Sequence, residues 1–141
     1  MSRRRVKPAP DAPSPTASCP CGLPAAYTEC CGRLHLGPAT AGTAEQLMRS
    51  RFSAFARHDE AYLLRTWHPD TRPREVDFDP ELRWVRLEVL DTSDGGPFHA
   101  EGTVTFRAHY TEHGRPGAME EHSHFVRHGG AWVYREAIPA G

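Results

Sequence analysis

The sequence predicts an α+β fold in which helices pack on one face of an antiparallel sheet, preceded by a small cysteine-rich segment. Three observations support this prediction. Apolar residues at helical spacing are confined to residues 43–67, alternation dominates residues 84–135, and all four cysteines lie between positions 19 and 31. Helices followed by a run of strands joined by short turns are typical of α+β domains.

Length, composition and charge limit the class of protein. The chain has 141 residues, 38% of them apolar, with a formal net charge of −1, which suits one compact domain and a small appendage. No apolar run approaches the ~18 residues of a membrane-spanning helix, and the start lacks the apolar region of a signal peptide. We therefore expect a soluble cytoplasmic protein without membrane contact. Lys7 is the only lysine, which excludes Schiff-base catalysis and a Walker-type phosphate loop.

Residues 1–18 form a Pro-rich segment without aromatic residues that carries the basic cluster Arg3, Arg4, Arg5 and Lys7. This composition cannot bury enough apolar surface to offset the entropy lost on ordering, so we expect a disordered tail. A basic tail can contact phosphates or acidic partners. The near-zero net charge, however, gives the chain as a whole no electrostatic preference for nucleic acid.

The spacing Cys19-x-Cys21-x8-Cys30-Cys31 is the most informative pattern in the chain. Four thiols so close together in a cytoplasmic protein favour a Zn²⁺ site over disulfides or idle thiols. We expect residues 19–36 to form a zinc knuckle folded by the metal. Four thiolates close the coordination sphere, which is typical of a structural and not a catalytic site. Two alternatives stay open: His35 could replace one thiolate, and iron could replace zinc.

Two helices are predicted after the knuckle. Thr43 and Gln46 form a capping box, and an apolar stripe at helical spacing follows, comprising Leu47, Met48, Phe52 and Phe55. A break near His58 or Asp59 separates this helix from a second one over residues 60–67, which His68-Pro69 ends. Residues 69–81 are rich in proline and aspartate and predict a loop.

Four strands are predicted in the last sixty residues, over residues 84–90, 103–110, 118–127 and 131–135. Alternation in the first strand places Val85, Leu87 and Val89 on one face. In the second strand Val104, Phe106, Ala108 and Tyr110 share one face, and Thr103, Thr105, Arg107 and His109 share the other. Turn residues separate the strands at 94–97, 114–117 and 128–130.

Two segments resemble known families. The run CPCGLPAAYTECCGRLHLG resembles the SEC-C zinc motif, and TAEQLMRSRFSAF followed by YLLRTWHP is similar to the YchJ-like family of uncharacterised bacterial proteins. The resemblance implies a knuckle followed, over residues 43–138, by a nuclear-transport-factor-2-like (NTF2-like, SnoaL-like) cone. Leu23-Pro24-Ala25 stands where many SEC-C knuckles have Ser-Gly-Lys, so we do not expect the nucleic-acid role of other SEC-C proteins.

A cone fold leaves a pocket between its helices and its curled sheet, and inward-facing polar residues there are functional candidates. Arg49 or Arg51 could anchor a carboxylate or phosphate, or pair with a structural carboxylate. Alternation places Glu121 among apolar neighbours as a candidate acid or base, with His68 and a strand histidine as partners. The full candidate set is Arg49, Arg51, Ser53, His68, His109, Glu121 and Ser123.

The sequence leaves several functions open. The first hypothesis is an uncharacterised zinc-binding protein whose structural knuckle docks an unknown macromolecular partner. The alternative is small-molecule binding, or isomerase- or hydrolase-like acid/base catalysis, in the cone pocket. A third is weak nucleic-acid binding by the tail and knuckle. The sheet face with Thr103, Thr105, Arg107 and His109 is a candidate homodimer surface, because cone folds often pair through the sheet.

Overall fold

The computed structural model describes residues 17–37 and 39–139, so the predicted tail lies almost entirely outside the described residues. The described chain confirms the α+β prediction. Its four strands form one antiparallel sheet in chain order. The elements are a 3₁₀ turn (Tyr27–Glu29), α1 (Cys31–His35), α2 (Ala44–Arg57), α3 (Glu60–Arg65), β1 (Leu82–Asp94), β2 (Glu101–Glu112), β3 (Arg115–His128) and β4 (Ala131–Ala137).

Capping side chains set the bounds of α2, as the sequence predicts. Thr43 Oγ1 accepts a hydrogen bond from the Gln46 backbone N–H at 3.0 Å, and Gln46 Oε1 accepts one from Gly42 at 2.6 Å. The helix ends at Arg57, and the next residue, His58, has a left-handed backbone (φ 58°). Asp59 then caps α3 by accepting from the N–H of Tyr62. None of the helices in the described residues is both long and apolar enough to span a membrane.

Helix α3, predicted over residues 60–67, is shorter than predicted. It ends at Arg65, and Trp67 instead forms an isolated parallel bridge with Tyr134 of β4. The backbone N–H of Tyr134 donates to Thr66 and that of His68 donates to Tyr134, both at 2.8 Å. These hydrogen bonds pair the chain after α3 with the sheet. They replace the bonds that another helical turn would have made.

The alternation predicted for the first strand is wrong at Val85. The register of β1 against β2 shifts between Trp84 and Arg86, so Val85 is an extra residue in the strand. As a result Val85 is 56% exposed, whereas Leu87 is 7% exposed and Trp84 packs against Phe52 of α2. One inserted residue reverses the face of every position before it, which a simple alternation rule cannot anticipate.

Gly117 was predicted to lie in a turn, but it is a strand position. The β2–β3 turn consists of His113 and Gly114, both at positive φ, and β3 begins at Arg115. Gly117 pairs with Tyr110, and a Cβ on Gly117 would lie 2.7 Å from the Tyr110 ring. The glycine is therefore needed to accommodate the tyrosine ring. The predicted β3–β4 turn at Gly129-Gly130 is confirmed.

Buried apolar residues in the described part of the chain form two separate clusters. The larger lies between the helices and one face of the sheet and includes Leu47, Phe52, Leu63, Val104 and Phe125. The smaller consists mainly of cysteine side chains together with Tyr27, and it lies in the knuckle. A cluster this small has little apolar surface of its own to bury.

Residue His35 joins the knuckle to the main domain. Its Nε2 lies 2.8 Å from the Ser50 carbonyl oxygen, which can only accept, so Nε2 carries the hydrogen. Nδ1 then accepts the hydroxyl hydrogen of Tyr27 at 2.6 Å. Arg65 adds two hydrogen bonds from α3 to the carbonyls of Leu34 and His35, at 3.0 and 3.1 Å. The end of α1 is thus fixed to α2 and α3.

The first prediction concerns the bulge at Val85. Leu87→Ala should lower the free energy of unfolding by about 2–5 kcal/mol because it leaves a cavity in the core. Val85→Ala should change it by no more than about 0.5 kcal/mol because the side chain is mostly in solvent. Urea denaturation of both variants measures the difference. Similar losses for the two would contradict the bulge.

The second prediction concerns pH. Burial lowers the pKa of His35 in the folded protein, outweighing the Ser50 carbonyl and Asp59, which raise it. The unfolded state therefore takes up a proton first as the pH falls through about 6.5, and stability is lost below that pH. Between pH 7.5 and 5.5 the wild type should therefore lose more of its free energy of unfolding than His35→Gln. Thiols and carboxylates titrate in both proteins, so parallel pH profiles would exclude His35 as the cause.

Candidate metal centre and neighbouring cavity

The four cysteine sulfurs converge on one point. Their Sγ atoms all lie within 4.8 Å of one another, and those of Cys21 and Cys30 are 3.6 Å apart. In a tetrahedral zinc site with Zn–S bonds of ~2.3 Å, neighbouring sulfurs lie about 3.8 Å apart. The spacing thus fits a tetrahedral metal ion, and the donor set of four sulfurs suits zinc or iron.

Backbone hydrogen bonds in the knuckle bring the two cysteine pairs together. The Cys19 N–H donates to the Ala25 carbonyl at 3.0 Å, which folds residues 19–25 into a turn, and Gly22 takes φ +94° within it. The Cys30 N–H donates to Tyr27, and Cys31 begins α1. Ala17 and Ser18 also belong to this unit, because Tyr27 N–H donates to Ala17 and Ser18 bridges Ala26.

The close spacing of the thiols shifts the pKa values of Cys19, Cys30 and Cys31. Burial, with the neighbouring Cys21 thiol, raises the pKa of Cys30 to about 12. Hydrogen bonds with Cys19 and Cys21 raise the pKa of Cys31, while those from Cys21 and Cys31 lower that of Cys19. Without a cation, the cluster therefore favours a thiolate at Cys19 and keeps protons on Cys30 and Cys31. A divalent ion would displace those protons and pair with the resulting charges.

One stripe of α2 faces the knuckle. Arg49, Ser53 and Arg57 lie at i, i+4 and i+8, and each contacts it. Ser53 Oγ is 3.5 Å from Cys19 Sγ, and Arg49 Nη1 donates to the Cys21 carbonyl at 3.0 Å. The Arg57 guanidinium lies over the Tyr27 ring, 3.9 Å from its centre. Arg49 and Ser53, both candidates for the cone pocket, thus lie beside the cysteines.

Residue His35, the alternative fourth ligand, is occupied elsewhere. Both of its ring nitrogens are hydrogen-bonded within the protein, to Tyr27 and Ser50. The group of potential metal ligands found among the described residues contains the cysteines alone. His35 therefore supports the knuckle from outside the sulfur cluster.

A second candidate site is a cavity of about 270 Å³ between α2 and the sheet. Its walls are mainly aromatic and aliphatic and include Phe52, Trp67, Trp84, Phe106 and Met119. Its polar lining consists of Arg51, Glu121, Ser123 and Tyr134. Mostly apolar walls with a few converging polar groups are typical of small-molecule sites.

Arg51 is the buried charge of this cavity, with 3% of its surface exposed. Its Nη1 donates to the Leu63 carbonyl at 2.9 Å and to Thr66 Oγ1 at 2.8 Å. The rings of Trp67 and Tyr134 both lie 4.7 Å from its central carbon. Burial lowers the pKa of Arg51 to about 10, so the guanidinium remains charged at neutral pH.

Glu121 accepts two hydrogen bonds at one carboxylate oxygen. The Ser123 hydroxyl donates to Oε2 at 2.7 Å and the Tyr134 hydroxyl donates to it at 2.8 Å. Burial, followed by this bond to Glu121, raises the pKa of Tyr134 and keeps the phenol protonated. Glu121, Ser123 and Met119 lie on the inward face of β3, opposite Phe106, Val104 and Ala108 of β2 respectively.

The two candidate histidines do not line this cavity. His68 Nδ1 accepts from the Asp70 N–H at 3.0 Å, and its Nε2 lies 3.2 Å from Arg135. His109 is on the opposite face of the sheet, where its Nε2 is 2.6 Å from Glu88. Because β2 alternates, Phe106 and not His109 is the inward neighbour of Glu121.

Sequence reasoning missed three residues of these sites. Tyr134 holds Glu121 and covers Arg51, and the alternation Trp132-Val133-Tyr134 in β4 could have suggested an inward position. Ser50 anchors His35 through its backbone, for which the sequence carries no signal. Arg57 could have been found from its spacing to Arg49 and Ser53 on one helical face.

The comparisons with known proteins agree with this architecture. A family model described as the YchJ middle NTF2-like domain matches residues 43–137. A UPF0225 protein of Streptomyces avermitilis is 65% identical over 118 residues, which cover 84% of this chain and 81% of the relative. A UPF0225 protein of Streptomyces coelicolor is 57% identical over 122 residues, covering 86% and 95%.

Solved structures support the same assignment. The solution structure of a SEC-C motif-containing protein from Rhodopseudomonas palustris has a TM-score of 0.76 and 32% identity, covering 87% of this chain and 98% of that one. The crystal structure of a SEC-C motif-containing protein from Psychrobacter arcticus has a TM-score of 0.70 and 25% identity, covering 87% and 84%. The NTF2-like fold predicted from the sequence is confirmed. With its SEC-C cysteine cluster and NTF2-like domain, the chain belongs to the YchJ-like (UPF0225) family.

Proposed function

We propose that this protein binds one structural Zn²⁺ ion, and that the metal-folded knuckle docks a macromolecular partner. The observation that carries the metal part is the convergence of four cysteine sulfurs within 4.8 Å. Four thiolates fill a tetrahedral coordination sphere and leave no open position for a substrate, as expected of a structural site. Thiols available to a metal suit a reducing compartment, which supports a cytoplasmic location.

The docking part of the proposal rests on exposed apolar side chains of the knuckle. Leu36, directly after α1, is 76% exposed and Leu23 is 42% exposed. Arg49 and Arg65 hold the backbone on either side of them, through the carbonyls of Cys21, Leu34 and His35. A rigid unit loses little entropy on binding, which favours a protein partner with an apolar contact surface. The nucleic-acid alternative depends on the basic tail, which lies outside the described residues.

The third prediction is the metal content. Protein purified without added metal should contain one zinc per chain, and Cys30→Ser should lose it because three thiolates bind the ion far more weakly. Elemental analysis by mass spectrometry measures both. A wild-type protein that is folded but contains no zinc, or holds iron instead, would contradict the proposal.

Two buried serines of α2 provide a matched pair for the same measurement. Ser53 contacts Cys19, whereas Ser50 donates to the Leu47 carbonyl and lies 2.7 Å from the Tyr62 hydroxyl. Ser53→Ala should weaken zinc binding about tenfold, since hydrogen bonds to metal ligands typically contribute that much. Ser50→Ala should leave zinc affinity unchanged. Equal affinities in competition with a chelator would show that Ser53 does not support the ligand.

The fourth prediction tests docking. Crosslinking in cells should trap a complex of the wild type with its partner, and Leu36→Asp, which places a charge on the knuckle surface, should abolish that complex. Leu90→Asp is the matched control, because Leu90 is 43% exposed but lies on β1. Quantitative mass spectrometry should recover the same partner with the wild type and Leu90→Asp only. A partner recovered equally with all three proteins would exclude the knuckle as the docking surface.

The second candidate function is small-molecule binding in the cavity, and the buried Arg51 together with Glu121 favours it. Acid/base catalysis has less support, since neither His68 nor His109 lines the cavity beside Glu121. Pairing of two copies through the outer sheet face stays a prediction. The polar residues of that face contact one another within the chain, as in Arg107 with Glu120 and His109 with Glu88.

A further inference from the structure

The guanidinium of Arg51 has unused hydrogen-bonding capacity toward the cavity. Within the described chain its hydrogen bonds come from Nη1, and the centres of two aromatic rings lie 4.7 Å from its central carbon. No side-chain nitrogen or oxygen in the described residues is fully enclosed without a hydrogen-bond partner. The remaining Arg51 nitrogens therefore have access to open space, and the space that Arg51 lines is the cavity.

The charge of Arg51 is also unpaired. It forms no ion pair within the described residues, and Glu121 acts on it only at longer range. Buried charges in proteins are normally paired or hydrogen-bonded to an opposite charge, because desolvation otherwise costs free energy. An anion entering the cavity would supply the missing partner, and a carboxylate would match the planar edge of a guanidinium.

Glu121 defines a second polar contact. Its Oε2 already accepts from the Ser123 and Tyr134 hydroxyls, and a carboxylate has further lone pairs that can accept. A ligand group facing Glu121 must therefore donate a hydrogen bond, as a hydroxyl or an amine does. Glu121 would repel a second acidic group on the ligand, so the carboxylate belongs at the Arg51 end.

The walls and volume limit the rest of the ligand. The cavity of about 270 Å³ is slightly smaller than the roughly 300 Å³ at the lower end of pockets for drug-sized molecules. Its aromatic walls, formed by Phe52, Trp67, Trp84 and Phe106, favour a flat apolar body. A molecule with a single aromatic ring and a short polar side chain fits these limits.

We propose that the cone cavity binds a small aromatic or apolar monocarboxylic acid that carries a hydroxyl or amino donor. Its carboxylate contacts the free edge of Arg51, its donor contacts Glu121, and its ring lies among the aromatic walls. This inference rests on ligand binding in the cavity, the second candidate function, and it names the chemical class of that ligand.

The experiment compares three ligands on the metal-loaded full chain by NMR titration. The ligands are 3-phenyllactate, its uncharged amide 3-phenyllactamide, and 3-phenylpropanoate, which lacks the hydroxyl. The indole N–H signals of Trp67 and Trp84 report the cavity. That of Trp132, which donates to the Gly42 carbonyl at 3.2 Å and does not line the cavity, is the internal control.

Phenyllactate should shift the Trp67 and Trp84 signals and bind at least about tenfold more tightly than the amide, as expected of a charge-assisted hydrogen bond. Phenylpropanoate should bind about threefold more weakly than phenyllactate for want of the donor. If phenyllactate and phenyllactamide both shift the Trp67 and Trp84 signals and bind with equal affinity, the proposal that the ligand is a carboxylic acid is overturned. Ligand binding in the cavity would then still stand. If all three leave the Trp67 and Trp84 signals unshifted at millimolar concentration, ligand binding in the cavity is itself excluded.

A pair of arginine variants tests the role of Arg51. Arg51→Lys keeps the charge but loses the planar edge, and it should weaken phenyllactate binding about tenfold with little change for the amide. Arg86→Lys, at an exposed position of β1 whose side chain lies 3.7 Å from Glu88, should leave both affinities unchanged. Loss of phenyllactate binding in both variants would assign the effect to a general change in the protein and overturn the Arg51 contact. The three-ligand comparison on the wild type does not depend on either variant folding.

Discussion

The convergence of four cysteine sulfurs is the constraint on which the knuckle depends. Their Sγ atoms lie within 4.8 Å of one another, and a group of thiolates at that spacing needs a cation to be stable. The apolar cluster of the knuckle consists largely of the same cysteines, so no separate core holds the segment together. Under the proposed function, metal binding would supply the free energy that orders residues 17–35.

Helix α2 is the wall that the two candidate sites share. Arg49, Ser53 and Arg57 face the knuckle, while Met48, Arg51, Phe52 and Phe55 line the cavity. A helix has room for both because residues separated by about 3.6 positions return to the same side. The cysteine cluster and the cavity are thus separate in space but adjoin the same helix.

The sequence allowed prediction of the features that follow from local rules. The capping box at Thr43, the Gly129-Gly130 turn, the cysteine cluster and the inward face of Glu121 and Ser123 all follow from spacing and residue type. The bulge at Val85 and the strand position of Gly117 could not be predicted from local rules, because each depends on the pairing with the neighbouring strand. Prediction of the candidate sites from sequence has the same limit, as Arg49 and Arg51 show. Arg49 and Arg51 are both plausible pocket residues from sequence, but the side of α2 that each faces is decided by what packs there.

Hydrogen exchange of backbone amides, with and without a chelator, tests most directly whether the metal folds the knuckle and not the main domain. Removing the metal should bring the knuckle amides of Cys19, Tyr27 and Cys30 to the exchange rate of an unfolded peptide, since their hydrogen bonds lie within the knuckle. The amides paired between β2 and β3 should keep their protection. Knuckle amides that stay protected after complete metal removal would contradict the account, and so would a sheet that loses its protection together with them.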